Sequence, residues 1–191
     1  MVAASHEDAR VGPRADRVRA GILEAATDLV AERGSDVSMA ALADAAGVGR
    51  ATLYRYFPTR ESLVEALVVA AIAEAEERLA SAGLDDVPFA EAVARTARAL
   101  LTVGRRYVVL VQERRPEKGC HAAPVRARVQ ALMGRGQREG ALDPALPVSW
   151  LGDVFGGLVL AAIGLLQESD IGVEDAAALV TAQFLSGARA S

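Results

Sequence analysis

Apolar side chains recur at helical spacing along most of the chain, and the runs break at glycine, proline and capping residues. Val18, Ile22, Ala26, Leu29 and Val30 make one stripe. Asp16 before it is a suitable N-cap and Gly34 after it a suitable terminator. Ser38 caps a second, short helix that carries Leu42 and Ala45 and stops at Gly47. A third short helix is predicted from Arg50 to Phe57, where Pro58 ends it. Thr59 caps a fourth that runs to about Ser81 and closes at Gly83, with Glu61 near its positive end. The middle of this helix, residues 66–73, is apolar nearly all round, which predicts cover on more than one side.

Beyond Asp85-Asp86 the pattern predicts a helix over 89–101. Residues 107–111 are β-rich but have no evident partner strand, so they too are read as helix. Residues 116–124 read as a loop, 125–139 as a helix with Arg126, Arg128, Arg135 and Arg138 on its surface, and Gly140 as its end. A turn over 143–147 precedes two last helices, 148–167 and 173–185. Alanine, leucine, arginine and glutamate favour helix throughout. The fold class is therefore all-α. Short helices crowd before residue 60 and longer apolar ones follow. This layout predicts a disordered arm over 1–15, a small helical module over 16–60 and a larger helical body over 61–191.

A length of 191 residues suits one domain, or two small ones sharing a core. With 52% hydrophobic and 24% charged residues, an extended disordered chain is excluded. The single cysteine, Cys120, rules out an internal disulfide and a cysteine-based zinc site, and two distant histidines do not make a metal site. No cofactor is expected. The uncharged apolar run 154–166 is shorter than a bilayer requires, and residues 1–16 lack the apolar stretch of a signal peptide. The expected location is cytoplasmic. The net charge of −4 gives no general case for nucleic-acid binding, so any such case must be local.

That local case lies in residues 38–67, SMAALADAAGVGRATLYRYFPTRESLVEAL. Gly47-Val48-Gly49 separates two short helices at helix-turn-helix length, and Ala43 and Ala46 are small enough to let them approach. The second helix offers Arg50, Thr52, Tyr54, Arg55 and Tyr56, with Leu53 and Phe57 turned inward. Residues 46–60 hold three arginines and no acid, although residues 1–82 hold nine basic against thirteen acidic side chains. Positive charge is thus confined to one candidate DNA face. Arginine reads guanine edges and phosphates, and tyrosine and threonine hydroxyls bond phosphate oxygens. A helix–glycine–helix pair with alanines also occurs in helical proteins that never meet DNA. The arginines, tyrosines and Phe-Pro step are what favour DNA here.

Ala46-Gly47-Val48, Thr52-Leu53-Tyr54, Tyr56-Phe57-Pro58 and Glu61-Ser62-Leu63 together resemble the motif of the TetR family of bacterial transcriptional regulators. The resemblance covers about residues 17–67. The rest follows in layout alone, with Gln137-Arg138-Glu139-Gly140 similar to a helix end common in that family. It implies an all-α homodimer whose first three helices bind DNA. The long fourth helix would link the halves, and the C-terminal body would dimerise and hold a small effector. Position by position it implies base-facing Arg50, Ala51 and Arg55 and a phosphate-facing Tyr54. Tyr56 falls where the family often has histidine or tyrosine, and Arg60 where it commonly has lysine. Ser38 and Thr52 complete the candidate DNA-facing set. Gly49 departs from the usual serine or threonine and removes one possible hydroxyl–phosphate contact.

In the C-terminal body, Tyr107, Met133, Trp150 and Phe155 are candidates to line an apolar pocket, with Arg106, Gln112 and His121 supplying polar contacts. Ordinary core packing is the competing reading for each. Gly156, Leu160 and Ile163, with Val180 and Phe184 of the last helix, are the candidate dimer surface. Gly152, Gly156, Gly157 and Gly164 suggest close approach of another helix. The expected protein is a homodimeric repressor, released from a palindromic operator on double-stranded DNA by a hydrophobic or amphipathic small molecule. The alternatives are a helix-turn-helix DNA binder without an effector, and a small helical enzyme with Cys120 as nucleophile and His121 as base.

Overall fold

Proline and glycine set the first helix boundary. In the computed structural model, which describes residues 12–33, 37–107 and 122–189, helix α1 spans Pro13–Arg33. The Gly12 carbonyl accepts from the backbone N–H groups of Ala15 at 2.8 Å and Asp16 at 3.2 Å. Pro13 suits the first helical position because its fixed φ is already helical and the N–H it lacks would have had no partner. The expected cap at Asp16 is therefore displaced four residues upstream, to Gly12. Residues 13–15 of the expected arm are helical, and residues 1–11 lie outside the described residues.

Helices α2, Met39–Ala45, and α3, Arg50–Tyr56, follow, then α4, Arg60–Ser81. The chain divides into two compact units between Leu63 and Val64, inside α4. In the first unit, Ser38 caps α2 as predicted: its backbone is extended and its Oγ accepts from the Ala41 N–H at 3.2 Å. Gly47 has φ of 63°, a left-handed conformation that glycine adopts without cost. Around it the Val48 N–H donates to the Ala43 carbonyl at 3.0 Å, closing α2 before the chain turns into α3. The buried side chains include Ile22, Ala26, Leu29 and Val30 of α1, Leu42 and Ala43 of α2, and Leu53 and Phe57 at α3.

The second unit contains the rest of α4, a 3-10 turn over Leu84–Asp86, and helices α5, Phe89–Arg106, α6, Ala123–Arg138, α7, Val148–Glu168, and α8, Val173–Ala188. Among the described residues there is no strand. Helix α5 is the hub and packs on α6, α7 and α8. It extends past the predicted residue 101, and Tyr107 is its C-cap rather than a helical residue. Residues 108–121 lie outside the described residues. Helix α6 starts at Ala123 with Pro124 in its first turn, so the end of the predicted loop is helical.

The core of this unit holds Phe89, Leu101, Met133, Leu142, Leu151, Phe155, Ile163, Val180 and Phe184. The rings of Phe155 and Phe184 meet edge to face, 5.3 Å apart at 76°. Close helix approach occurs at Gly104 and Gly136. A Cβ on Gly104 would collide with Ile163 Cδ1, and one on Gly136 would stand 2.5 Å from Phe89 Cζ. The glycines predicted for this role lie in α7. There Gly152 meets Gln130, whereas Gly156, Gly157 and Gly164 have open space beside them.

Arg135 of α6 donates from Nη1 to the Leu84 carbonyl at 2.6 Å and from Nη2 to the Val87 carbonyl at 2.5 Å. Gln137 Nε2 donates to the carbonyls of Asp143 and Leu146, fixing the turn before α7. Within α4, Ala66 and Leu67 are buried, but Val69 is 46% exposed, so residues 66–73 are not covered on all sides. Helix α7, with a mean hydropathy of 1.8, is long and apolar enough by length and composition to cross a membrane. Counting only the uncharged run 154–166 misses this. The core helix of a soluble protein passes the same test, and one side of α7, carrying Leu151, Phe155, Val159, Ala162, Ile163 and Leu166, is buried.

Candidate nucleic-acid interface

Helix α3 has a buried side and an open side. Leu53 and Phe57 anchor it, and the Phe57 N–H caps it on the Leu53 carbonyl at 2.8 Å. Arg50, Ala51, Tyr54 and Arg55 are exposed, and Thr52 and Tyr56 are half-buried. Residues 50, 51, 54 and 55 share one face at 3.6 residues per turn. Tyr54 is 48% exposed, so it is not a core tyrosine. The Arg55 guanidinium lies 5.2 Å from the centre of the Tyr56 ring, which restrains both side chains. Gly49 is the N-cap of α3 and makes no side-chain capping bond.

Two arginines tie the first unit together. Arg60 Nη1 donates to the Val37 carbonyl, 23 residues away, and so joins the start of α4 to the segment before α2. Its guanidinium is thus committed to the protein backbone, unlike those of the α3 arginines. Arg19 of α1 lies over the Phe57 ring at 5.3 Å. Sequence reasoning missed Arg19, because nothing in its local pattern distinguishes it from a solvated arginine. Ser38 spends its hydroxyl on the α2 cap while remaining exposed. An open groove of about 710 Å³ runs between the start of α1 and the turn into α3, lined by Arg14, Val18, Gly47, Thr52, Arg55 and Tyr56 among others.

The start of α4 is capped reciprocally. The Ser62 N–H donates to Thr59 Oγ1 at 3.1 Å, and the Thr59 N–H donates to Ser62 Oγ at 3.2 Å. The Glu61 carboxyl is held below its ordinary value of 4.5, first by its own backbone N–H, then by the Thr59 hydroxyl and the Arg60 charge. A carboxyl with a depressed pKa stabilises the fold above its ordinary pKa, and that contribution disappears as pH falls through the folded value. Melting temperatures of the parent and Glu61→Gln, measured from pH 7 to pH 3, should differ at neutral pH and converge in acid. A constant gap across the range would disprove the role of this carboxylate.

The C-terminal candidates lie in different surroundings. Met133 and Phe155 are core residues and Tyr107 is buried, whereas Trp150 is 48% exposed on α7. Arg106 reaches Glu74 of α4 at 3.4 Å and lies over the Tyr107 ring at 5.8 Å. Gln112, Cys120 and His121 lie outside the described residues. A shallow cleft of about 300 Å³, lined by Phe89, Ala90, Gly140, Ala141, Leu185 and Arg189, includes none of the predicted pocket residues. Of the dimer candidates, Ile163, Val180 and Phe184 are buried in the core of the unit and Gly156 is half-buried. Leu160 faces outward at 45% exposure, and Leu165 and Leu179 are also exposed.

A glycine-turned pair of short helices, followed by an all-helical body, is the architecture of helix-turn-helix transcriptional regulators. Residues 22–67 match the family model of bacterial regulatory proteins, tetR family. Over this module the chain is similar to the tetR family. Solved structures share the fold over nearly the whole chain. The TetR-like regulator LfrR from Mycobacterium smegmatis, in complex with proflavine, is 23% identical with a TM-score of 0.76, over 94% of this chain and 100% of that one. RolR in complex with resorcinol is 22% identical with a TM-score of 0.64, over 92% and 89% of the two chains. The regulator PfmR from Thermus thermophilus is 21% identical with a TM-score of 0.69, over 86% and 97%.

Proposed function

We propose that the chain is a cytoplasmic homodimeric repressor that occupies a near-palindromic operator and leaves it when a small effector binds the C-terminal body. The observation that carries this reading is the exposed face of α3, with Arg50, Tyr54 and Arg55 in a segment free of acids. Arg50, Ala51 and Arg55 would face base edges, and Tyr54, Thr52 and Ser38 would hold phosphates, with Tyr56 restraining Arg55. Arg60 would serve mainly by fixing the base of α4. Two such helices in successive major grooves stand about 34–36 Å apart, which calls for a near-palindromic site. The outward Leu160, Leu165 and Leu179, with Gly156 beside them, favour α7 and α8 as the dimer surface.

The effector reading draws support from LfrR and RolR, whose structures carry proflavine and resorcinol. A hydrophobic or amphipathic molecule is the class proposed here. It would act through α4 by favouring one of two states, with a coupling of about 1–3 kcal/mol. A ligand that stabilises the protein thermally but leaves operator affinity unchanged would leave a DNA binder without an effector switch.

Selection of bound duplexes from a random pool tests the DNA reading directly. Recovery of a palindrome with half-sites one helical turn apart supports it, and failure to retain any duplex at low salt removes it. On the recovered site, Arg50→Ala or Arg55→Ala should relax preference at particular base pairs. Each lost bidentate contact costs about 1–3 kcal/mol of discrimination. Tyr54→Phe should weaken all sequences alike. Titrations on base-substituted duplexes distinguish the two patterns, and unchanged preference in both arginine variants would take them out of the readout.

A further inference from the structure

We propose that the groove between the start of α1 and the turn into α3 seats a sugar–phosphate strand of the DNA duplex, with Arg14 as a phosphate-binding side chain. This rests on the regulator reading above and extends the interface from α3 onto α1. Arg14, Ala15 and Val18 form one wall of the groove, and Thr52, Arg55 and Tyr56 form the other. Among the described residues, no acidic side chain lines it. Arg14 and Arg55 are exposed, and Arg14 has no ion pair among the described residues. In this it differs from Arg19, which lies on Phe57, and from Arg60, which is bonded to Val37.

Asp16, the nearest acid on α1, is two residues from Arg14 and points to a different side of the helix, since two residues turn it by about 200°. Gly47 and Gly49 border the groove, and a Cβ on either would meet nothing within 4 Å, so the approach is open. One guanidinium on the α1 wall, facing a second guanidinium and two hydroxyls on the α3 wall of an open groove, matches the donors that a phosphate backbone takes. An enclosed pocket would suit a small ion better.

Salt dependence of binding to the selected duplex tests the assignment. Each phosphate contact contributes about 0.9 to the slope of log K against log salt. Arg14→Ala removes one contact from each protomer of the dimer, so it should flatten the slope by about 1.8 and weaken binding at low salt, equally on base-substituted duplexes. Arg14→Lys should keep the slope. Ala15→Asp places a negative charge on the same wall and should also weaken every duplex. Acids suit the first turn of a helix, so that loss is not one of folding. An unchanged slope in Arg14→Ala, with the parent still binding, overturns the assignment and leaves the regulator reading intact. A loss confined to particular base pairs overturns the phosphate role in favour of base contact. Absence of binding by the parent overturns both.

Discussion

Phe57→Ala is expected to abolish binding to every duplex while leaving the C-terminal unit folded. Phe57 is 1% exposed, ends α3 and carries Arg19 over its ring. Removing a buried aromatic side chain of this kind costs about 3–5 kcal/mol. A module of this size draws little more than that from its whole core. The α3 face would therefore lose its seat before any of its DNA-facing side chains changed. Circular dichroism should report a partial loss of helix, with a second, unchanged melting transition from the other unit. Arg50→Ala serves as the control, because that side chain is exposed and its loss should leave the fold intact. If Phe57→Ala bound the operator as the parent does, the anchoring role assigned to the inner side of α3 would be wrong.

Phe155→Ala should have the largest effect on the C-terminal unit. Its ring is fully buried and meets Phe184 edge to face. The cavity left behind costs about 3–5 kcal/mol, to which the ring pair adds about 0.5–1.5 kcal/mol. Thermal unfolding should shift down by roughly 10 °C or more. Phe184→Ala in the same background should then cost less than it does alone, because the two rings share one contact. Strictly additive losses would mean that the ring pair contributes nothing of its own.

Local signals are legible in the sequence. Ser38, Gly47 and Thr59 act within a few residues of themselves, so their types suffice to place the ends of α2 and α4 and the bend between α2 and α3. Leu53 and Phe57 are legible as inward because their spacing matches one helix face. Asp16 misleads because two starting signals compete there, and Pro13 takes the helix start four residues earlier. Long-range ties leave no local trace. The bond from Arg60 to Val37 spans 23 residues, and Arg19 finds Phe57 across the first unit. The glycines of α7 show the same limit. Composition marks where a helix has small residues but not which neighbour uses them, and the tight contacts fall at Gly104 and Gly136 instead. Periodicity likewise places Ile163, Val180 and Phe184 on an apolar stripe without telling inner core from outer surface.

The two-pronged grip of Arg135 on Leu84 and Val87 has a mechanical consequence. A planar guanidinium holding two carbonyls at once leaves the strap between α4 and α5 little freedom to slide or swivel against the end of α6. Any tilt of α6 is handed on to the tail of α4 instead of being absorbed by slack chain. A lysine at this position, with a single point charge on a supple stem, would turn a rigid joint into a loose one.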